Sequence, residues 1–325
     1  MQHNLAITPS PHVRSGATTR RIMQDVCIAL APAGIASVIL FGGHAAVIIA
    51  VCVLTCVLTE YVYQRLMNQR VTAGDWSAVV TGLLLAYNIP ANAPIWIPIV
   101  GSVFAILIVK QLFGGIGSNF MNPALTARAV LFVSWSSIMT AYPNTVFMTG
   151  GVDTVSSATP LAALGKVFTG AEGASLADVG LADLFLGNCA GVLGETCKLA
   201  LILGGIYLFI RKVIDWRIPV CMIGTVAVMY LLTSGFNAEL TLKELLSGGL
   251  MLGAIFMATD YATSPQTNLG RIIFGVGCGL LLFVIRAYAS YPEGCSFAIL
   301  FMNVCSPLID RWTAPTPFGE VKQHG

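Results

Sequence analysis

The chain has 325 residues, of which 56% are hydrophobic and 10% charged, and its mean hydropathy is +0.80. These values exclude an ordinary soluble domain and indicate a polytopic membrane protein with lipid as a partner. A net charge of +2 gives no electrostatic case for nucleic acid or another polyanion.

Residues 1–24 are polar and read as a cytoplasmic N-terminal segment rather than a cleavable signal, because the apolar stretch after them runs on into others. Ten apolar segments follow, near 25–41, 44–60, 77–89, 95–112, 127–142, 196–211, 217–234, 246–258, 271–287 and 295–309. Several fall short of the roughly 20 residues that cross a bilayer. Such segments are expected to borrow flanking residues, or to be broken and buried among their neighbours. The expected fold is all-α, with about ten transmembrane helices in two inverted five-helix repeats. One repeat covers 25–142 and the other 196–309, around an extracytoplasmic loop at 143–195 and before a cytoplasmic tail at 310–325. Weak echoes support the repeat: "TGLLLAYNIPANAP" (81–94) with "GGLMLGAIFMATDYATSP" (248–265), and "FGGIGSNFMNPALTAR" (113–128) with "SYPEGCSFAILFMN" (290–303). Gly, Pro and Asn there point to non-helical backbone inside the bundle.

The positive-inside rule sets the orientation. With a cytoplasmic N-terminus, Arg14, Arg20, Arg21, Arg65, Arg70, Lys110, Arg128, Arg211, Lys212, Arg217, Arg271, Arg311 and Lys322 fall inside, against Lys166, Lys198, Lys243 and Arg286 outside. Both termini are then cytoplasmic and the 143–195 loop is periplasmic. The nine cysteines lie mostly in or beside apolar runs without a Cys-x-x-Cys pair, which suits packing better than a metal or an iron–sulfur cluster. "FGVGCG" (274–279) lies in the ninth segment and reads as close helix packing rather than a nucleotide loop. Few acids fall near the spans; Asp260 and Glu293 are the candidate ion or interface carboxylates. No catalytic residue and no metal site is expected in this chain alone.

Two threonines follow a small residue and Ala. In "RSGATTRR" (14–21) Thr18 has Arg20 and Arg21 close by to neutralise a phosphate. In "DTVSSATPLAALG" (153–165) Thr159 stands before Pro160 and a run of helix formers, the signature of an N-cap with proline at the first helical position. The backbone N–H groups of Leu161, Ala162 and Ala163 would then face an anion on the Thr159 oxygen. The segment Asp153, Ser156, Ser157, Ala158, Thr159 resembles the acceptor pattern of periplasmic flavin transferases, Asp-x-x-Ser/Thr-Gly-Ala-Thr, and departs from it at Ser157. Before Thr18 the position of the acid is His12, and Thr18 lies on the cytoplasmic side. Thr159 is therefore the expected acceptor.

The blocks "SPHVRSGATTRRIMQDV", "GGIGSNFMNPALTARAVL", "VSSATPLAAL", "MATDYATSPQTNLGRIIFG" and "YPEGCSFAILFMN…PLIDRWTAP" together resemble the D subunits of Rnf-type (Rsx) ion-translocating oxidoreductases. They are similar, more distantly, to the B subunit of the Na⁺-translocating NADH:quinone reductase, whose N-terminal extension is typically longer. The resemblance implies a fold distantly similar to that of urea transporters, and flavin mononucleotide (FMN) held by a phosphoester to Thr159. It also implies a place in a bacterial inner-membrane complex of six subunits, with iron–sulfur and second flavin subunits as partners and a periplasmic flavin transferase as the attaching enzyme. That complex passes electrons between NADH and ferredoxin while moving Na⁺ or H⁺. Non-covalent riboflavin is a further implication to which no residue is assigned. A flavin-free channel for a small solute is the alternative from a different class, motivated by the inverted repeat and the interrupted spans.

Overall fold

The computed structural model describes residues 18–149, 159–168, 180–289 and 293–315, and these are mainly helical. A single isolated bridge, Pro90 with Val192, stands in place of a sheet among them. Helices α1 (Thr19–Phe41) and α2 (Gly43–Leu66) form a long hairpin that turns at Gly42, whose φ of 80° favours glycine. Helix α3 (Ser77–Ala86) is short, and α4 (Trp96–Val103) continues into a π-helical stretch, Phe104–Gln111. Helix α5 (Pro123–Ser134) is followed by the single turns α6 (Ser136–Met139) and α7 (Val146–Thr149), then by α8 (Pro160–Phe168) and α9 (Leu181–Leu186). The remainder comprises α10 (Lys198–Ile210), α11 (Arg217–Thr233), α12 (Ala238–Leu246), α13 (Leu250–Leu252) running into a π turn at Gly253–Met257, α14 (Asn268–Tyr288) and α15 (Cys295–Thr313).

Among the described residues three helices, α1, α2 and α14, are long and apolar enough to cross a membrane. A fourth span arises if α12 and the Leu250–Met257 helix count as one, bent by 66°. The expected segment at 246–258 is therefore broken, at Ser247, Gly248 and Gly249, where Gly248 adopts a φ of +60°. The expected segment at 127–142 is shifted: α5 starts at Pro123 because the Asn122 Oδ1 accepts the N–H groups of Ala124 and Leu125, and it stops at Ser134. Likewise α1 begins earlier than the apolar run, with the Thr18 hydroxyl oxygen accepting the Arg21 N–H at 3.4 Å.

Two ends of the bundle can be followed by contact. At one, the His44 Nδ1 meets the Ala91 carbonyl at 2.6 Å, and the connection at 187–197 lies on the stretch after α3, with the Gly194 N–H donating to the Tyr87 carbonyl. Gly194 leaves no room for a side chain there, since a Cβ would lie 2.1 Å from that of Tyr87. At the other end Asp215 receives Arg217 and Arg271, and the Gln266 N–H donates to Asp310.

The sequence run at 274–279 packs as expected. A Cβ on Gly279 would sit 2.7 Å from the Met222 carbonyl oxygen and from Thr225, and one on Gly275 would sit 2.9 Å from Cys221 and from the Ile218 carbonyl oxygen. Helices α11 and α14 thus approach backbone to backbone along these small residues. Gly279→Leu is expected to force the two helices apart at a cost of about 1–3 kcal/mol. The check is a lower unfolding temperature in detergent than that of an exposed control, Val284→Leu.

Candidate functional site

Thr159 caps α8 as the Thr-Pro pair predicts, its hydroxyl oxygen accepting the Ala162 N–H at 3.3 Å. The Ala163 N–H is not left for an anion, because it donates to the Thr159 carbonyl at 3.1 Å. Nor does Thr159 lie on an exposed face: it is 4% exposed, on the wall of a small cavity with Glu195, Thr196, Lys198, Gly248 and Glu293. The pattern residues Asp153, Ser156, Ser157 and Ala158 lie outside the described residues.

Beside this cavity is a buried ionic cluster. Arg128, in the second turn of α5, donates one nitrogen to the Asn88 Oδ1 at 3.0 Å and to the Ser296 hydroxyl at 2.8 Å, and the other to Glu293. Asn88 in turn donates to the Leu84 carbonyl at 2.6 Å, so one guanidinium ties the end of α3 to the start of α15. Lys198, at the start of α10, donates to the carbonyls of Glu195 and Gly248. The Glu195 Oε2, Thr196 Oγ1 and Glu293 Oε1 have no hydrogen-bond partner. These side chains were expected to play separate parts: Arg128 as a cytoplasmic loop charge, Lys198 as a periplasmic one, and Glu293 as an isolated candidate. Arg128 and Glu293 pair because α5 and α15 pack together.

A larger cleft, with about 760 Å³ of free space including its mouth, opens at the other end. Its apolar walls include Leu84 and Phe256, and its polar lining includes Lys110, Asn119, Asn122 and Asp260. The Lys110 ammonium, 2% exposed at the end of the π stretch, donates to Glu60 at 2.8 Å and to the Ser77 hydroxyl at 2.6 Å. Asp260 accepts the Thr263 hydroxyl at 3.2 Å. Asp260 and Glu293, weighed together in the sequence, thus face different cavities.

Burial also revises the charge tally. Lys110 and Arg128 leave the inside set, and Lys198, Lys243 and Arg286 leave the outside set, all five being buried.

The profile of the NQR2, RnfD, RnfE family matches residues 6–319. The chain is 49% identical over 321 residues to the D subunit of the Na⁺-translocating ferredoxin:NAD⁺ oxidoreductase complex of Acetobacterium woodii, covering 98% of this chain and 96% of that one. It is 42% identical over 323 residues to the D subunit of the proton-translocating ferredoxin:NAD⁺ oxidoreductase complex of Clostridium ljungdahlii, covering 96% of each. The D subunit of an ion-translocating oxidoreductase complex of Stutzerimonas stutzeri is 39% identical, over 92% of each chain.

The Lys110–Glu60 contact is open to a direct energetic test. Lys110→Met strands a buried carboxylate and is expected to cost about 3–5 kcal/mol, whereas adding Glu60→Leu removes the stranded charge and recovers most of the loss. Unfolding temperatures of the single and double variants, in the assembled complex, check this; a double variant no more stable than the single would place the cost elsewhere.

Proposed function

The chain belongs to the NQR2, RnfD, RnfE family, and from that premise we propose that it is the FMN-carrying D subunit of a redox-driven Na⁺ or H⁺ pump working between NADH and ferredoxin. On this reading it is a multi-pass protein of the bacterial inner membrane. Its ten membrane passes form two inverted repeats, with both termini cytoplasmic and Thr159 periplasmic. NADH oxidation and the iron–sulfur centres belong to partner subunits, and a periplasmic flavin transferase loads the threonine.

The observation that carries the reading is the Thr159 hydroxyl at a helix start, on a cavity wall that also offers an ammonium and an unpartnered hydroxyl. Thr159 would bear the phosphoester, and Lys198 and Thr196 are the side chains suited to its oxygens. The bridging oxygen of an ester still accepts, so the Ala162 N–H keeps a partner after attachment. Thr159 is buried on the wall of a small cavity, so Thr159, Thr196 and Lys198 would hold the phosphate end of the group. Glu195 and Glu293 line the same cavity, so a phosphate fits only if they do not both carry charge. The attached flavin, when present, supplies the one- or two-electron redox chemistry, and the protein sets its position and surroundings.

Thr159→Ala is expected to abolish the flavin fluorescence that stays with the denatured polypeptide, while Thr18→Ala leaves it intact. Intact mass should show an increment of FMN less water, absent without the transferase. A fluorescent band that survives Thr159→Ala would overturn the site. A flavin-free chain that conducts a solute in liposomes would support the channel reading instead.

A further inference from the structure

We propose that Glu195 and Glu293 form a proton-binding site, in which two buried carboxyls beneath Thr159 hold one exchangeable proton between them. The two residues come from different parts of the chain, Glu195 from the connection before α10 and Glu293 from the two residues before α15. They are 3% and 6% exposed. Both line the one small cavity. Two ionised carboxylates buried on the same cavity wall offer only acceptors and repel each other, which favours a proton on one of them.

The surroundings decide which one. Glu293 is bonded to the Arg128 guanidinium. Glu195 has no cation bonded to its carboxyl, because Lys198 spends its protons on the main-chain carbonyls of Glu195 and Gly248. Glu195 is therefore the protonated member. Burial first, and then the charge of Glu293, push its carboxyl up. The other titratable groups facing the pair are Tyr142 beside Glu293, Cys189 and Lys198 on the Glu195 side, and Cys295 and Arg286 at the edge.

A second observation points to an exchangeable ligand rather than a closed structural contact. Glu195 Oε2, Glu293 Oε1 and the neighbouring Thr196 hydroxyl have no partner, and all three residues line the cavity that holds Thr159. Buried polar atoms that face a cavity in this way suit water that delivers or removes a proton. A Na⁺ ion between the carboxyls would add a third positive charge to Arg128 and Lys198. The step balances simply: a proton from water adds to the Glu195 carboxylate and is stabilised by Glu293, and the reverse releases it to water. No electron moves. The site itself does not depend on the flavin reading; only its use, relieving the wall beneath a Thr159 phosphoester of a second negative charge, rests on it.

The test is infrared difference spectroscopy of the intact complex, titrated from mildly acidic to alkaline pH in H2O and in D2O. The expected signal is a protonated-carboxyl band that shifts in D2O, fades as pH rises and is lost in Glu195→Gln. Glu195→Asp, which keeps the acid and shortens the reach, is the second variant should Glu195→Gln fail to assemble; it is expected to retain the band with a midpoint moved by at least one pH unit. The band should persist in Thr159→Ala, which separates this site from the flavin assignment. A band unchanged in both Glu195 variants would overturn the proposal. So would a midpoint that moves with NaCl but not with choline chloride, because that response belongs to a metal-cation site.

Discussion

A polar group inside a bilayer has no water to turn to, and the broken helices of this chain are arranged around that constraint. Arg128 is where it is met most fully. Its guanidinium makes three bonds, to a side-chain amide, a hydroxyl and a carboxylate, from the end of α3 and the start of α15. Asn122 serves the same need one turn away, capping α5 with its Oδ1 while its amide donates to the Met257 carbonyl at the end of the π turn. The non-helical stretches after α3 and after Met257 are thus held by side chains that belong to α5 or its cap.

Two other buried cations do related work at opposite ends. Lys110 joins Glu60 to Ser77, fixing the start of α3. Arg286 donates to the carbonyls of Glu244 and Ser247, both at 2.9 Å, where α12 gives way to α13. In each place a buried charged side chain near a helix end meets the terminus of an interrupted helix. That use of charge is structural, and it separates those cations from the acids that face cavities. Glu60 is consumed by Lys110, Gln64 and Thr72, whereas Glu195 keeps an oxygen free. Counting intramembrane acids therefore says little about ion handling until each is assigned its partner.

Much of this was legible in the residues themselves. Thr159 reads as an N-cap because Thr, Pro and a run of helix formers are adjacent, and local chemistry alone makes that cap. The same Asn-Pro signature marks the start of α5 at Asn122 and Pro123, but hydropathy hid it, since Thr126 and Arg128 depress the average over that turn. The break between α12 and α13 had its own signal in Ser247, Gly248 and Gly249. Arg128 and Glu293 were a different case: they stand 165 positions apart, and nothing local distinguishes a buried arginine from a loop arginine. The burial of Thr159 was illegible for the same reason, because its wall is supplied by Glu195, Lys198 and Glu293 from distant segments.

The similarity to relatives bears on where ion choice resides. The chain is 49% identical to a relative named for Na⁺ translocation and 42% identical to one named for proton translocation, each over almost the whole length. A frame shared across both names cannot itself set the ion. Selectivity is a difference between two binding free energies, and a change of one ligand or one carboxyl's protonation is enough to reverse it. The buried cations described above are committed to bonds within the fold. Among the described residues, a few groups retain unsatisfied oxygens at a cavity and are not committed in this way. In this chain the Thr196 hydroxyl and the free oxygens of Glu195 and Glu293, at the Thr159 cavity, are such groups.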